Sequence, residues 1–407
     1  MTARIGRFTV TRTRAAVGGG LAVAAAVAIA ISLPFSHGAP AASPATTGPA
    51  TTSPATTGPA TTGGPLKAKL LASSCGGPAG AAYVADAGWD GFSAIDTANC
   101  KIIQTYNVGD PQVPGDPGDS DYASTDEGVA IHGSTLYFAD TGNSSIAVIN
   151  AATLSPKNYN PAETDISTGT FPEDLAVTPD GGQLWVANTG PQSQPGSPTS
   201  VTVIDTATKK VIATIPTKGA PAQVAFSPDG ATAYVATDDG LYAFSTRTLS
   251  VTGFTGGLGE PHSVAVASDG TVYVTDTDAD SVKVLSPSGQ VTATIGVGDL
   301  PWDIALSADG KTAFVANPDS DSVSVISTAT DTVTATVPVH GDPDTLGLTP
   351  DGSQLWIGQA SLAYVTLLNT KTDTVAGSLN LGGSTAQSGD GYEPTGIVLT
   401  KTPTPAS

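Results

Sequence analysis

The chain has 407 residues, a formal net charge of −20, and 39% hydrophobic against 13% charged residues. Nucleic acid and anionic membrane surfaces require the opposite sign of charge, so neither is expected as a partner. Helix formers are sparse while Thr, Val, Ser, Gly and Asp abound, which argues against a helical fold and for an all-β one with ample apolar content for a core.

Arg4, Arg7, Arg12 and Arg14 precede an uncharged apolar run over residues 15–33, and small residues follow at 38–42. A basic start, an apolar stretch and a small-residue exit read as an export signal over residues 1–41. Left uncleaved, the same stretch would be a membrane anchor, and it is the only membrane contact expected. The next segment, SPATTGPATTSPATTGPATTGGP, places Pro44, Pro49, Pro54 and Pro59 at a five-residue period. It lacks the large apolar residues that a core needs and reads as an extended stalk over 42–65. The expected location is therefore the cell envelope or the exterior, with the folded part carried as a monomer.

From residue 80 onward one pattern recurs: YVAD at Tyr83, YFAD at Tyr137, WVAN at Trp185, YVAT at Tyr234, YVTD at Tyr273, FVAN at Phe314 and WIGQ at Trp356. A period of roughly 40–50 residues belongs to stacked supersecondary units. Within each unit an apolar stretch leads through a Pro-Asp-Gly type turn into the aromatic segment, and two more alternating runs follow. Four short segments punctuated by Gly, Pro and Asp predict four antiparallel strands, here called A to D from the first to the last. One such blade cannot bury both faces alone, so the blades must pack around a ring.

The ends of the pattern predict how that ring closes. The first unit begins directly at strand B, and YEPTGIVLT at 392–400 is a strand A with nothing after it. Pairing the two completes a seven-bladed β-propeller of four-stranded antiparallel blades over residues 66–400, with a short tail at 401–407, and leaves no sheet edge open in the ring. The topology puts the A–B and C–D turns on one rim, the lower, and the D–A and B–C connections on the other, the top. Cys75 precedes the first strand and Cys100 sits in a C–D turn, so the two are expected to meet at the lower rim as a disulfide. Closing about 25 residues would stabilise by roughly 3 kcal/mol; two buried thiols are the alternative.

PAQVAFSPDGATAYVAT and PWDIALSADGKTAFVANPDSDSVSVISTATDTVTATV resemble the repeats of the YVTN β-propeller family over roughly residues 80–400. That resemblance implies the fold and an exported bacterial or archaeal surface protein, and it leaves chemistry open. Related propellers include lactonases, streptogramin lyase and quinone-dependent dehydrogenases. EPHSVAVASDG is similar to the repeat of streptogramin lyase, which uses His and Glu with a divalent metal. Only His262 and Glu260 match that role.

The starts of the A strands bring Glu127, Glu173, Asp174, Gln223, His262, Trp302, Asp303, Asp344 and Glu393 towards the axis at the top rim. A funnel ringed by carboxylates would attract a cation or a basic ligand, and Trp302 offers a stacking surface for a sugar or peptide. Glu173 with Asp174, or Asp303 with Asp344, would form carboxylate pairs for acid–base work. The acidic stretch at 109–128 carries Asp116, Asp119 and Asp121 at a spacing open to a divalent cation. DTDADS and NPDSDS lack the Gly and the bidentate Glu of a calcium loop and read as hairpin turns. His262 is the one candidate for a catalytic histidine, and no nucleophile elbow or phosphate loop occurs. Two functions follow: an exported, non-enzymatic binding or scaffold propeller engaging a surface protein or glycan at its top face, or a metal-assisted lyase or lactone hydrolase in the funnel.

Overall fold

The computed structural model describes residues 79–86, 91–107, 128–153, 165–190, 198–381 and 394–401. Blade 1 contains β1 (Ala81–Asp86), β2 (Gly91–Asp96) and β3 (Lys101–Asn107); blade 2 contains β4 (Val129–His132), β5 (Thr135–Asp140), β6 (Ser145–Asn150) and a two-residue β7 (Ile166–Ser167). Blade 3 contains β8 (Pro172–Val177), β9 (Gln183–Asn188), β10 (Ser200–Asp205) and β11 (Lys210–Pro216); blade 4 contains β12 (Pro221–Phe226), β13 (Thr232–Thr237), β14 (Gly240–Ser245) and β15 (Ser250–Gly256). Blade 5 contains β16 (Pro261–Val266), β17 (Val272–Asp276), β18 (Ser281–Leu285) and β19 (Val291–Gly296); blade 6 contains β20 (Ile304–Leu306), β21 (Thr312–Asn317), β22 (Ser322–Ser327) and β23 (Thr332–Pro338). Blade 7 contains β24 (Pro343–Leu348), β25 (Gln354–Gln359), β26 (Tyr364–Asn369) and β27 (Thr374–Asn380), and β28 (Pro394–Thr400) pairs antiparallel with β1 to complete blade 1.

The B strands are covered on both faces by neighbouring blades, which is why they read as continuous apolar runs. In β9 and β25, Trp185 and Trp356 are fully buried, whereas the outer strands β11, β15 and β27 alternate between exposed and half-buried positions. Each junction between blades holds its own apolar cluster. At the junction of blades 1 and 7, Ala82, Val84 and Ile95 pack with Trp356, Val365 and Leu367. The first and last blades are therefore joined by a core as well as by a strand. Each fully buried side chain of Val, Ile or Leu size contributes about 1.5–3 kcal/mol.

Turn chemistry fixes the rims where the sequence places them. In the A–B turn of blade 4, Asp229 Oδ1 accepts from Ser227 Oγ (2.6 Å) and Ala231 N (3.0 Å), which holds its carboxyl below the usual range, and Gly230 takes φ 68. The C–D turns clasp the A–B turns on the same rim: Thr206, Thr246, Thr328 and Thr370 donate to the carbonyls of Gly181, Gly230, Gly310 and Gly352 at 2.6–2.7 Å.

The last residue of the aromatic motif is a buried bracket. Asn317 Nδ2 reaches the Val315 and Ser322 carbonyls (3.2 Å each) and Ser324 Oγ (3.0 Å), tying β21 to β22. Asn188 does the same for β9 and β10. Cys100 stands at φ 52 in the β2–β3 turn and packs against the cluster of blades 7 and 1. Cys75, the residues of the export segment and the stalk, and the acidic stretch with Asp116, Asp119 and Asp121 lie outside the described residues.

Candidate functional site

The A strands begin alike: Pro172-Glu173-Asp174-Leu175, Pro221-Ala222-Gln223-Val224, Pro261-His262-Ser263-Val264, Pro301-Trp302-Asp303-Ile304 and Pro343-Asp344-Thr345-Leu346. Proline tolerates this first position because no ladder donor is needed there. Strand pairing shifts register between Pro172 and Asp174, Pro221 and Gln223, Pro261 and Val264, and Pro343 and Thr345. Such a bulge leaves one residue unpaired and re-aims its neighbours' side chains.

The third residue of four of these starts reaches the next blade. Asp174 Oδ2 accepts from Val224 N (3.0 Å), Gln223 Oε1 from Val264 N (2.7 Å), Ser263 Oγ from Ile304 N (3.1 Å), and Asp303 Oδ2 from Leu346 N (2.8 Å). Blade 2 has Gly128 at this place, and its backbone N donates directly to Glu173 O at 2.8 Å. Asp174, Gln223, Ser263 and Asp303 thus form a chain of ties running from blade 3 to blade 7.

Asp303 is the most heavily engaged of them. Its Oδ1 accepts from Ile304 N (2.8 Å) and from Gln223 Nε2 (3.3 Å), two blades away, and lies 2.9 Å from Ser263 Oγ. Ser263 Oγ is also 2.5 Å from Gln223 Oε1, so its single proton is shared between two acceptors. With Leu346 N on Oδ2, donors from blades 4, 5, 6 and 7 converge on one carboxylate. A carboxylate bound this way has its oxygens engaged by the scaffold.

His262 is held in the same layer. Its Nδ1 donates to Trp302 O at 2.9 Å, because a carbonyl can only accept, and the two rings stack with centroids 3.7 Å apart. Burial lowers its pKa to about 4, outweighing the opposing effects of the Trp302 carbonyl and Asp303, so the ring is neutral at pH 7. Its Nε2 is buried as well. A half-buried imidazole, neutral at pH 7 and with a committed Nδ1 proton, is placed to orient Trp302.

Glu173 is half-buried, and its Oε2 accepts from the Thr189 hydroxyl. Asp344 is 4% exposed, so it does not line an open funnel. Glu127 and Glu393 lie outside the described residues. The two acidic hairpins act as turns: Asp280 Oδ1 accepts from Leu300 N (2.9 Å), and Asp321 Oδ1 from Gly341 N (2.9 Å) and Asp342 N (3.3 Å). Among the described residues no three His, Cys, Asp or Glu side chains are grouped as a metal would require.

Sequence reasoning missed Ser263 and underrated Gln223. The signal was the third position itself, which reads Asp, Gln, Ser, Asp, Thr down the repeats, an acceptor each time.

Comparisons with known proteins agree with the fold. One family model matches: "SMP-30/Gluconolactonase/LRE-like region", over residues 143–318. It spans blades 2 to 6, and it is the model of a β-propeller family other than the expected YVTN repeat. No curated protein is significantly similar to the chain. Among solved structures, Kuenenia stuttgartiensis hydrazine synthase is similar at 22% identity and TM-score 0.56, over 67% of this chain and 88% of that one. A functionally unknown protein from Desulfotomaculum acetoxidans DSM 771 is similar at 16% identity and TM-score 0.62, over 79% and 99%. Dihydro-heme d1 dehydrogenase NirN in complex with DHE is similar at 13% identity and TM-score 0.53, over 82% and 77%. At these identities the likeness is one of fold.

Proposed function

We propose that this chain is a binding propeller rather than a catalyst, exported by its first 41 residues, displayed on the Pro/Thr stalk and engaging a surface protein or glycan through its top face. The observation that supports this reading is the commitment of Asp303: four donors from four blades occupy its oxygens, and a neutral, half-buried His262 stands beside it. Trp302, half-buried and braced from below by the His262 ring, is the contact surface on that face. Pairing of Cys75 with Cys100 belongs to the same reading, since it would fasten the blade that follows the stalk.

The experiment is retention of the purified chain on immobilised cell-surface glycans and envelope proteins, beside Trp302→Ala. Retention by the parent and loss in a variant that melts at the same temperature supports the reading. Equal retention by both sinks the Trp302 assignment.

A second reading, lactone hydrolysis, draws support from the gluconolactonase-type family model. Its residues would have to include positions outside those described, because the described funnel groups are already hydrogen-bonded to the scaffold.

A further inference from the structure

Neighbouring blades meet at the lower rim in clefts of one design. Between blades 3 and 4 the cleft is filled by Trp185, Phe226, Phe244 and, from the C–D turn, Leu249. The Trp185 ring lies 6.2 Å from Phe226 and 5.7 Å from Phe244. The repeat puts Tyr273, Leu306, Ile326 and Asp331 at the same four positions between blades 5 and 6. Three are smaller, and the fourth is a carboxylate in place of an apolar wedge. A cavity of about 300 Å³ lies at this junction, lined among others by Asp269, Tyr273, Thr292, Asp309, Thr328 and Asp331.

The turn does not require that carboxylate. Asp331 stands at φ 51 and Leu249 at φ 52, so an apolar side chain is carried in the same backbone conformation one junction away. Yet Asp331 Oδ1 is buried and accepts no hydrogen bond. Leaving a buried carboxyl oxygen without a donor is costly, and buried polar groups are normally satisfied. A rule broken at one junction and kept at its counterpart points to a ligand.

The character of that ligand follows from the walls. Among the described residues, no Lys, Arg or His lines the cavity. Asp269 accepts from Thr271 N at 2.9 Å, which holds its carboxyl below the usual range. Asp309, at the solvent side, pairs with Lys311 at 3.3 Å. The Tyr273 hydroxyl is pushed up to about 12 by burial and then by Asp331 and Asp269, so it remains a neutral donor in a negative field. A metal ion is a poor match, because no three acidic or imidazole side chains among the described residues are grouped to hold one. The volume is at the small end of ligand pockets, enough for one head group and its stem.

We propose that the lower-rim cleft between blades 5 and 6 binds an organic cation, an ammonium or guanidinium group, whose N–H donors satisfy the buried Asp331 oxygen while its stem lies along Tyr273. The ligand chemistry is that of an arginine or lysine side chain or of a small free amine.

Calorimetric titration of the purified chain at low salt tests this. N-acetyl-arginine methylamide is expected to bind with one equivalent, and its uncharged counterpart N-acetyl-citrulline methylamide is not. Asp331→Leu should weaken binding at least about tenfold, the loss of one charge-assisted hydrogen bond, while folding normally because Leu249 occupies the same turn position. Asp331→Asn, which keeps size and backbone preference, gives the same answer should the leucine variant fail to fold. Asp373→Leu, at the same position in blade 7, should leave binding unchanged. Agmatine titrated alongside separates the sources: tighter binding of agmatine assigns the cleft to a free amine, tighter binding of the capped residue to a peptide side chain. Absence of binding by both cations, equal binding of citrulline, or unchanged binding in Asp331→Leu would overturn the proposal and leave a merely hydrated cleft.

Discussion

Asp303 Oδ2 accepts the amide of Leu346 at 2.8 Å, a bond that crosses from blade 6 to blade 7 beside the axis. The same carboxylate holds Gln223 Nε2 from blade 4 at 3.3 Å, so one side chain gathers four of the seven blades. Asp303→Ala would leave Leu346 N short of an acceptor, take one of two acceptors from Ile304 N and free the Gln223 amide. A destabilisation of about 2–4 kcal/mol is expected in denaturant unfolding, with Asp303→Asn recovering part of it. A loss below about 0.5 kcal/mol would show the tie to be incidental.

Acidification should expose the state of His262. Its pKa of about 4 in the folded chain lies below the ordinary 6.5, so between those values the unfolded chain binds more protons than the folded one. Stability is complete above pH 6.5 and falls as pH drops towards 4, by up to about 3 kcal/mol. Turn carboxylates such as Asp229, held below 3.8, withdraw their contribution only at lower pH. His262→Gln keeps a donor for the Trp302 carbonyl without titrating, and its melting temperature should fall less between pH 6.5 and 4. Parallel curves for the two proteins would contradict a neutral imidazole in the folded chain.

Gly259 packs against Asp276, which accepts from Glu260 N at 3.1 Å and pairs with Lys283 Nζ at 3.1 Å. At φ 84, an added Cβ would collide with the Asp276 carboxylate. Gly259→Ala should therefore cost roughly 3 kcal/mol, from left-handed strain and a displaced buried ion pair. Thermal unfolding measures it, and a neutral result would mean that the loop into blade 5 can yield.

Peptide mapping without reductant should recover the segment of Cys75 joined to that of Cys100. Cys100→Ser should then lower unfolding stability by about 3 kcal/mol under oxidising conditions and not after reduction. Free thiols in the native protein would remove the staple.

The fold was legible because its rules are local and repeated. Period-two apolar runs, the Asp-Gly turns and the orphan strand at 392–400 predict β28 and its partner β1, and the structure pairs them. The roles of the axial side chains were not legible. Glu173, Asp174, His262, Asp303 and Asp344 look like a site when sorted by rim, yet a carboxylate that binds a ligand and one that ties two strands share the same sequence pattern. Gln223 meets Asp303 only because Ser263, in the blade between them, is short enough to be bridged. The cleft at Asp331 is lined by residues of two blades, Tyr273 and Asp331 among them, which no single repeat reveals.

The most direct test of the binding reading is lactone turnover by the purified chain with added divalent metal, run beside Asp303→Asn. No turnover above buffer in either protein is the predicted result. Saturable turnover by the parent, abolished in a folded Asp303→Asn variant, would contradict it and make the axial carboxylate catalytic.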